Sequence, residues 1–200
     1  MADFSAKDVK ALRDRTGAGM MDAKRALEEA DGDMEKAVEI LRVKGQAKAA
    51  KRGERGASEG VVESYVHATG KIGALVEVYC ETDFVARTDD FRGFARDVAL
   101  HIAAAPDVEW VSEENVPQEW IESERRVFEQ EAADKPENVR PKIVEGKLRK
   151  RLEDVVLLKH KHVNPKHEER TIEELRAELS ASTGENVVIR RFARFQVGAE

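Results

Sequence analysis

The sequence predicts an α+β protein, in which an N-terminal unit of three helices precedes a core with a small antiparallel sheet packed against helices. Helical periodicity fills residues 5–44 and returns after residue 90, whereas β-branched residues dominate residues 61–80 and the C-terminal NVVIRRFARFQVG. Of the 200 residues, 41% are hydrophobic and 37% are charged, a balance typical of helix-rich proteins with solvated outer faces.

Three short helices are expected in residues 5–44. Ser5 is a good N-cap with Asp8 three residues later, and Thr16-Gly17-Ala18-Gly19 ends the first helix because glycine tolerates a chain reversal. Asp31-Gly32 closes the second helix and Asp33 caps the third. The apolar residues assigned to these helices are Ala6, Val9, Leu12, Met21, Ala23, Ala26, Leu27, Ala30, Ala37, Val38, Ile40 and Leu41.

The segment QAKAAKRGERGASEG, residues 46–60, is basic and rich in glycine. It fits either a basic RNA-binding arm or a solvated helix end that runs into a flexible linker. The second interpretation is favoured, because no aromatic residue interleaves the charges for base stacking. We therefore expect a three-helix partner-binding domain at residues 1–45, a basic flexible linker at 46–60 and an α+β core domain at 61–200.

The core domain is expected to begin with a β-hairpin at residues 61–80, whose turn is Ala68-Thr69-Gly70-Lys71. The β-like C-terminal segment is expected to pair with this hairpin. Apolar spacing and flanking Pro106, Pro117, Pro141 and Thr171 predict the later helices. These helices are placed at residues 91–105, 118–133, 142–157 and 172–179.

Charge and cysteine content exclude several classes of protein. The formal net charge of −6 argues against a general nucleic-acid binder, since phosphate backbones favour basic surfaces. No apolar run is long enough to span a bilayer, and the N-terminal MADFSAKDVK has no hydrophobic signal region. A single cysteine cannot form an internal disulfide. The chain is therefore expected to be cytoplasmic and not bound to a membrane.

Candidate chemical sites in the sequence are weak. Cys80 with a histidine would be a minimal thiol nucleophile, although a lone cysteine at a strand end is more often a small buried hydrophobe. His160, His162 and His167 suggest zinc, but the neighbouring lysines oppose a cation and solvated loop histidines are favoured. GAGMMDAK, residues 17–24, lacks the spacing of a phosphate-binding loop. The sequence predicts no active site, cofactor or bound metal.

Two further segments can be read in more than one way. RRFARF, residues 190–195, mixes arginines with aromatics, but in a strand Phe192 and Phe195 point to opposite faces and form no single stacking platform. CETDFVAR, residues 80–87, lies at a junction between strand and helix, where Thr82 and Asp83 suit a helix cap. From the residues alone, Phe84 is as easily buried as projecting. Unaided, the residues support only a two-part α/β binding protein.

Four segments in order resemble elongation factor Ts of the bacterial type, over about residues 5–198. They are RTGAGMMDAKRALEEADGDMEKA, CETDFVAR, KIVEGKL and GENVVIRRFARF. The length is similar to that of the short members of this family, which tend to act as homodimers. Two features depart from the family pattern, Tyr79 in place of an expected asparagine and the histidine-containing LLKHKHV at residues 157–163.

The resemblance implies guanine-nucleotide exchange on elongation factor Tu, with no chemical step of its own and no cofactor. Thr82, Asp83, Phe84 and Val85 then correspond to the element that dislodges the magnesium ion of the GTPase, with Phe84 as a projecting wedge. The first three helices are similar to a ubiquitin-associated-type domain, which contacts the nucleotide-binding domain of the partner.

Within that N-terminal domain, Met20, Met21 and Lys24 are the expected contact residues. A homodimer would give a heterotetramer with two Tu molecules, without direct contact to nucleic acid. A scaffold that does not promote exchange, an RNA-binding module of the same fold and a thiol enzyme built on Cys80 remain the alternative hypotheses.

Overall fold

The computed structural model of the protein describes residues 4–199. These residues form α-helices and a three-stranded antiparallel sheet, which confirms the predicted α+β class. The elements in chain order are α1 (Ala6–Thr16), α2 (Met20–Glu29), α3 (Met34–Arg52), β1 (Glu59–Val66), β2 (Ile72–Cys80), α4 (Asp83–Ala86), α5 (Asp89–Ala104), α6 (Gln118–Glu131), α7 (Arg140–Val155), α8 (Ile172–Thr183) and β3 (Val188–Gln196).

The predicted caps define the first helix. The Ser5 hydroxyl accepts a hydrogen bond from the backbone N–H of Asp8 at 3.4 Å, and the Asp8 carboxylate accepts one from the backbone N–H of Ser5 at 2.7 Å. At the other end Gly17 adopts a φ of 65°, and its N–H donates to the carbonyl oxygen of Arg13. This left-handed backbone is why the reversal after α1 requires glycine.

The three N-terminal helices pack around a small apolar core. Leu12, Leu27 and Ala37 are fully buried at its centre, and Val38, Ile40 and Leu41 are partly buried against it, as their spacing predicts. Met20 and Met21 take no part in this core, because they are 46% and 63% exposed. Both adjacent methionines therefore face solvent, although Met21 is one of the apolar residues that the sequence assigns to these helices.

Helix α3 is longer than the sequence analysis predicted. It ends at Arg52, within the segment expected to be a linker, because residues 46–52 are strong helix formers, chiefly alanine and lysine. Ala49 is buried, and the guanidinium of Arg52 donates to the carbonyl oxygen of Ser180 at 2.9 Å. The helical conformation of this segment thus has tertiary support. The domain limits 1–45, 46–60 and 61–200 stay predictions.

The sheet has the strand order β1-β2-β3, so the C-terminal strand pairs with the hairpin as predicted. The hairpin turn falls at the predicted residues, where the N–H of His67 donates to the carbonyl oxygen of Ile72 and Gly70 has a φ of 66°. In β2 the side chains alternate between the two faces, as expected for a strand. Its buried side chains are Ala74, Val76, Val78 and Cys80.

The chain divides into two compact units. The first holds the N-terminal segment through Glu63, together with Glu77–Asp97 and Glu174–Arg190. The second holds Ser64–Val76, Val98–Glu173 and the C-terminal segment from Arg191.

In the second unit, helices α6 and α7 enclose an apolar cluster. Val116, Val155 and Val156 are buried there, and the rings of Trp110 and Trp120 meet edge to face with centroids 4.9 Å apart. Among residues 4–199, the helices are all too short or too polar to cross a membrane.

Candidate functional site

The CETDFVAR segment forms the end of β2 and a single helical turn, α4. Thr82 is the N-cap of this turn, with its hydroxyl oxygen accepting from the N–H of Val85 at 3.5 Å. The Asp83 carboxylate forms an ion pair with Arg87 at 2.8 Å, one turn later on the surface. Thr82 thus takes the capping position that the sequence indicated, whereas Asp83 is the first residue of the helix itself.

Phe84 projects from this turn into solvent. Its side chain is 80% exposed, the highest value among the large hydrophobic side chains of the described residues. Ala86, two residues later, is 5% exposed and anchors the turn. The structure therefore decides between the two positions that the sequence left open, because Phe84 contributes almost nothing to the core and its ring is available for a partner.

The junction that carries α4 is held from a distant part of the first unit. One oxygen of the Glu185 carboxylate accepts from the backbone N–H groups of Glu81 and Thr82, at 3.0 and 3.1 Å. The other oxygen accepts from the Thr82 hydroxyl at 2.6 Å. Glu185 lies between α8 and β3, more than a hundred residues from the junction. Sequence reasoning missed it, since no local pattern links residues so far apart.

The second predicted group of contact residues lies on α2. Met20 and Met21 begin this helix, and Lys24 is exposed on its next turn, where it forms an ion pair with Glu28 at 3.6 Å. The predicted residues thus form two groups in the first unit. Thr82, Asp83, Phe84 and Val85 share one turn, and the three α2 residues share the start of another helix.

Cys80 does not have the environment of a nucleophile. Its side chain is fully buried, and its thiol donates to the carbonyl oxygen of Thr82 at 3.2 Å. Burial raises the pKa of Cys80 to about 11, and the nearby Glu185 carboxylate acts in the same direction. The thiol is therefore protonated at neutral pH, which argues against the thiol-enzyme hypothesis because the thiolate is the reactive form.

We expect Cys80 to react with a thiol reagent at pH 8 roughly 100-fold more slowly in the folded protein than in urea, since both burial and a raised pKa suppress the thiolate. With a reagent that releases a coloured thiolate on reaction, the increase in absorbance gives the rate in buffer and the rate in urea. Similar rates would contradict the assignment of a buried thiol.

Four histidines of the second unit form a chain of ring contacts. The ring centroids of His160 and His162 each lie 5.3 Å from that of His101, and His167 lies 4.3 Å from His162. His162 is only 5% exposed, so the expectation of solvated loop histidines is wrong at this position. The imidazoles of His101 and His167 cover the ring of His162. The alternation of lysine and histidine in KHKH gave no sign of this burial.

This cluster lacks the features of a zinc site. Nδ1 of His101 accepts from the backbone N–H of Val163 at 3.2 Å, so the neutral ring carries its proton on Nε2 and neither nitrogen is a ready ligand. Among the residues that the structure describes, no three or more histidine, cysteine, aspartate or glutamate side chains are grouped to hold a metal ion.

Because His101 is buried, the free energy of unfolding is expected to fall in acid. Burial, followed by the neighbouring His160 and His162, lowers the pKa of His101 to about 3 from an ordinary value of 6.5. The unfolded chain therefore binds the proton first as the pH falls below 6.5, and the free energy of unfolding should decrease by about 2 kcal/mol between pH 7 and pH 5. Carboxylates remain largely ionised in this window.

Urea denaturation at the two pH values measures this loss. A His67→Asn variant, which removes an exposed imidazole in the hairpin, should show the same decrease as the parent. A His101→Phe variant should show a smaller decrease. An equal decrease in the His101→Phe variant would assign the acid sensitivity to other groups.

The basic segment after residue 45 is largely occupied by contacts within the first unit. Lys48 forms an ion pair with Asp22 at 2.9 Å, and Arg55 forms one with Glu81 at 3.5 Å. Arg52 donates to the carbonyl oxygen of Ser180. Three of its four cationic side chains thus have protein partners, which weakens the hypothesis of an RNA-binding arm.

Comparison with known proteins identifies the family. The family model described as Elongation factor TS matches residues 5–175. A protein named Elongation factor Ts from Carboxydothermus hydrogenoformans is 57% identical over 192 residues, which cover 95% of this chain and 87% of that protein.

Two further relatives carry the same name. The one from Caldanaerobacter subterraneus is 52% identical over 197 residues, covering 98% of this chain and 97% of that protein. The one from Trichodesmium erythraeum is 50% identical over 200 residues, covering 99% of this chain and 90% of that protein. The match extends over both compact units, and it includes the turn that carries Phe84.

Proposed function

This chain belongs to the elongation factor Ts family of translation elongation factors, and we propose that it is a guanine-nucleotide exchange factor for elongation factor Tu. The observation that carries the proposal is that Phe84 is 80% exposed, on a turn whose backbone is held by hydrogen bonds to Glu185. The protein then works by binding alone, in the cytoplasm, with no chemical step and no cofactor of its own.

Exchange requires that the factor binds the nucleotide-free GTPase better than the loaded one. Linkage makes the effect mutual, so nucleotide weakens the factor as much as the factor weakens nucleotide. A factor with equal affinity for both states would shift nothing. The differential contact is assigned to Phe84, because burying such a ring contributes roughly 1.5–3 kcal/mol and is possible only after helices of the partner have separated.

The neighbours of Phe84 supply the remaining contacts of this turn. Asp83, which forms an ion pair with Arg87 on the surface, is proposed to accept a hydrogen bond from the partner's backbone. Thr82 and Val85 hold the turn that presents the ring. Insertion of the ring is proposed to displace the magnesium ion bound by the GTPase, whose charge balances the phosphates of the nucleotide, so that GDP leaves faster.

The start of α2 is proposed as a second attachment to elongation factor Tu. Exposed Met20 and Met21 suit an adaptable apolar contact, because their side chains are flexible and polarisable, and Lys24 adds a cation beside them. A second contact raises the overall affinity through effective concentration without itself distinguishing the two nucleotide states.

A homodimer is proposed as the form that binds, giving a heterotetramer with two Tu molecules. In the second unit, Val66, Leu75 and Phe195 leave apolar side chains exposed on strand segments, at 65%, 45% and 67%. A second copy of the chain is the proposed cover for them. Sedimentation equilibrium tests this part of the proposal separately from exchange.

The test of the function is the affinity of the protein for elongation factor Tu in two nucleotide states. Titration calorimetry should give at least tenfold tighter binding to the nucleotide-free GTPase than to the GDP-loaded one, and added GDP should dissociate the complex. Equal affinities would favour the scaffold hypothesis. Binding to RNA that falls steeply with salt, without binding to the GTPase, would favour the RNA-binding module.

A further inference from the structure

The turn that carries Phe84 has little intrinsic stability. Helix α4 is four residues long, and so short a helix does not persist without tertiary contacts. Because the ring of Phe84 is 80% exposed, it packs against little of the protein and hardly stabilises this turn. Besides the buried Ala86, the contacts that fix the conformation of this turn lie at its base, at Glu81 and Thr82.

Those contacts are reciprocal. The Glu185 carboxylate accepts from the backbone N–H groups of Glu81 and Thr82, and the Glu81 carboxylate accepts from the backbone N–H of Asn186 at 2.7 Å. Each chain segment thus holds the backbone of the other through a charged acceptor, which gives the stronger class of hydrogen bond. The ion pair between Glu81 and Arg55, at 3.5 Å, adds a further link.

The contact between Glu185 and Thr82 involves the same hydroxyl that caps α4. The Thr82 hydroxyl donates to the Glu185 carboxylate at 2.6 Å and accepts from the N–H of Val85. Because the proton is directed to Glu185, the oxygen lone pairs are left for the cap, so the Glu185 carboxylate sets the direction of the hydroxyl. The backbone of Glu185 is itself held in place, since the Ser180 side-chain hydroxyl donates to its carbonyl oxygen at 2.6 Å.

We propose that Glu185 is a positioning residue for nucleotide exchange, which fixes the Thr82 turn so that Phe84 is presented rigidly to the partner GTPase. This inference rests on the proposed function. Glu185 acts through Phe84 and has no contact of its own with nucleotide. Its removal should therefore lower the maximal exchange rate rather than the affinity of docking, for which α2 is the proposed second attachment.

The experiment measures release of a fluorescent GDP analogue from elongation factor Tu against the concentration of the full-length protein. Glu185→Ala should lower the maximal rate at least tenfold and change the half-saturating concentration less than twofold. Glu185→Gln should fall between the parent and the alanine variant, because its amide oxygen accepts from backbone N–H groups but its NH₂ cannot accept from Thr82. Glu153→Ala, at an exposed position of α7 in the second unit, is the control and should match the parent.

A second arm separates positioning from general loss of structure. In a Phe84→Ala background, Glu185→Ala should cause no further loss of rate, because both changes remove the same contribution. Additive losses, or a parental maximal rate in a folded Glu185 variant, would overturn the inference. If the alanine variant does not fold, the glutamine variant decides by the same criteria. Failure of the parent to accelerate release would instead reject the proposed function, and with it this inference.

Discussion

Replacing Phe84 by alanine is expected to reduce the maximal rate of GDP release from elongation factor Tu by roughly 10- to 100-fold. The ring contributes about 1.5–3 kcal/mol when it is buried, and each 1.4 kcal/mol corresponds to a factor of ten. That energy is available only in the complex whose nucleotide site has opened. The fold should be unaffected, since the ring is 80% exposed in the free protein.

The control for this prediction is Val127→Ala, which removes another exposed apolar side chain, on α6. With this variant, elongation factor Tu should release GDP at the same rate as with the parent protein. Circular dichroism and the urea midpoint of both variants should match those of the parent. Parental exchange by a folded Phe84→Ala variant would show that the wedge assignment is wrong, even if the protein is an exchange factor.

Replacing Gly60 by alanine is expected to destabilise the first unit by about 3 kcal/mol, at the upper end of the usual range for overpacking. A Cβ atom at this position would lie 2.1 Å from the carbonyl oxygen of Val78 and 2.9 Å from the Cα of Tyr79. Both neighbours are backbone atoms of the adjacent strand, which cannot move aside as a flexible side chain would. Glycine inside a strand often marks such a close approach of another backbone.

Gly93→Ala is the matched control, with the opposite expected sign. Gly93 lies inside α5, and a Cβ atom there would meet no atom within 4 Å. Alanine is favoured over glycine in a helix interior, so this variant should gain about 0.5–1 kcal/mol. Urea denaturation of the two variants gives both values. A Gly60→Ala variant as stable as the parent would contradict the close approach of β2 to this position.

Local signals predicted most of the secondary structure. The capping box of Ser5 and Asp8, the reversal at Gly17 and the hairpin turn at Gly70 are each fixed by a few adjacent residues, and the structure contains all three. The composition of the C-terminal segment is typical of a strand, and this strand pairs with the hairpin. Such features depend on backbone preferences that act within a few residues.

The features that the sequence did not reveal depend on contacts between distant residues. Helix α3 continues to Arg52 because Ala49 and Arg52 find partners in the folded chain. His162 is covered in part by the imidazole of His101, which belongs to helix α5. Glu185 reaches a turn more than a hundred residues away. The exposure of Phe84 could not be decided from composition, since the same ring would also suit a core.

The proposed roles of Phe84 and Glu185 both depend on acceleration of nucleotide exchange on elongation factor Tu by this protein. The most direct test of that acceleration is stopped-flow release of a fluorescent GDP analogue from the magnesium-bound GTPase, with and without a saturating amount of the protein. The release rate should be at least tenfold above the spontaneous rate. An unchanged rate, with the protein folded and in excess, would rule out exchange activity and leave only membership of the family.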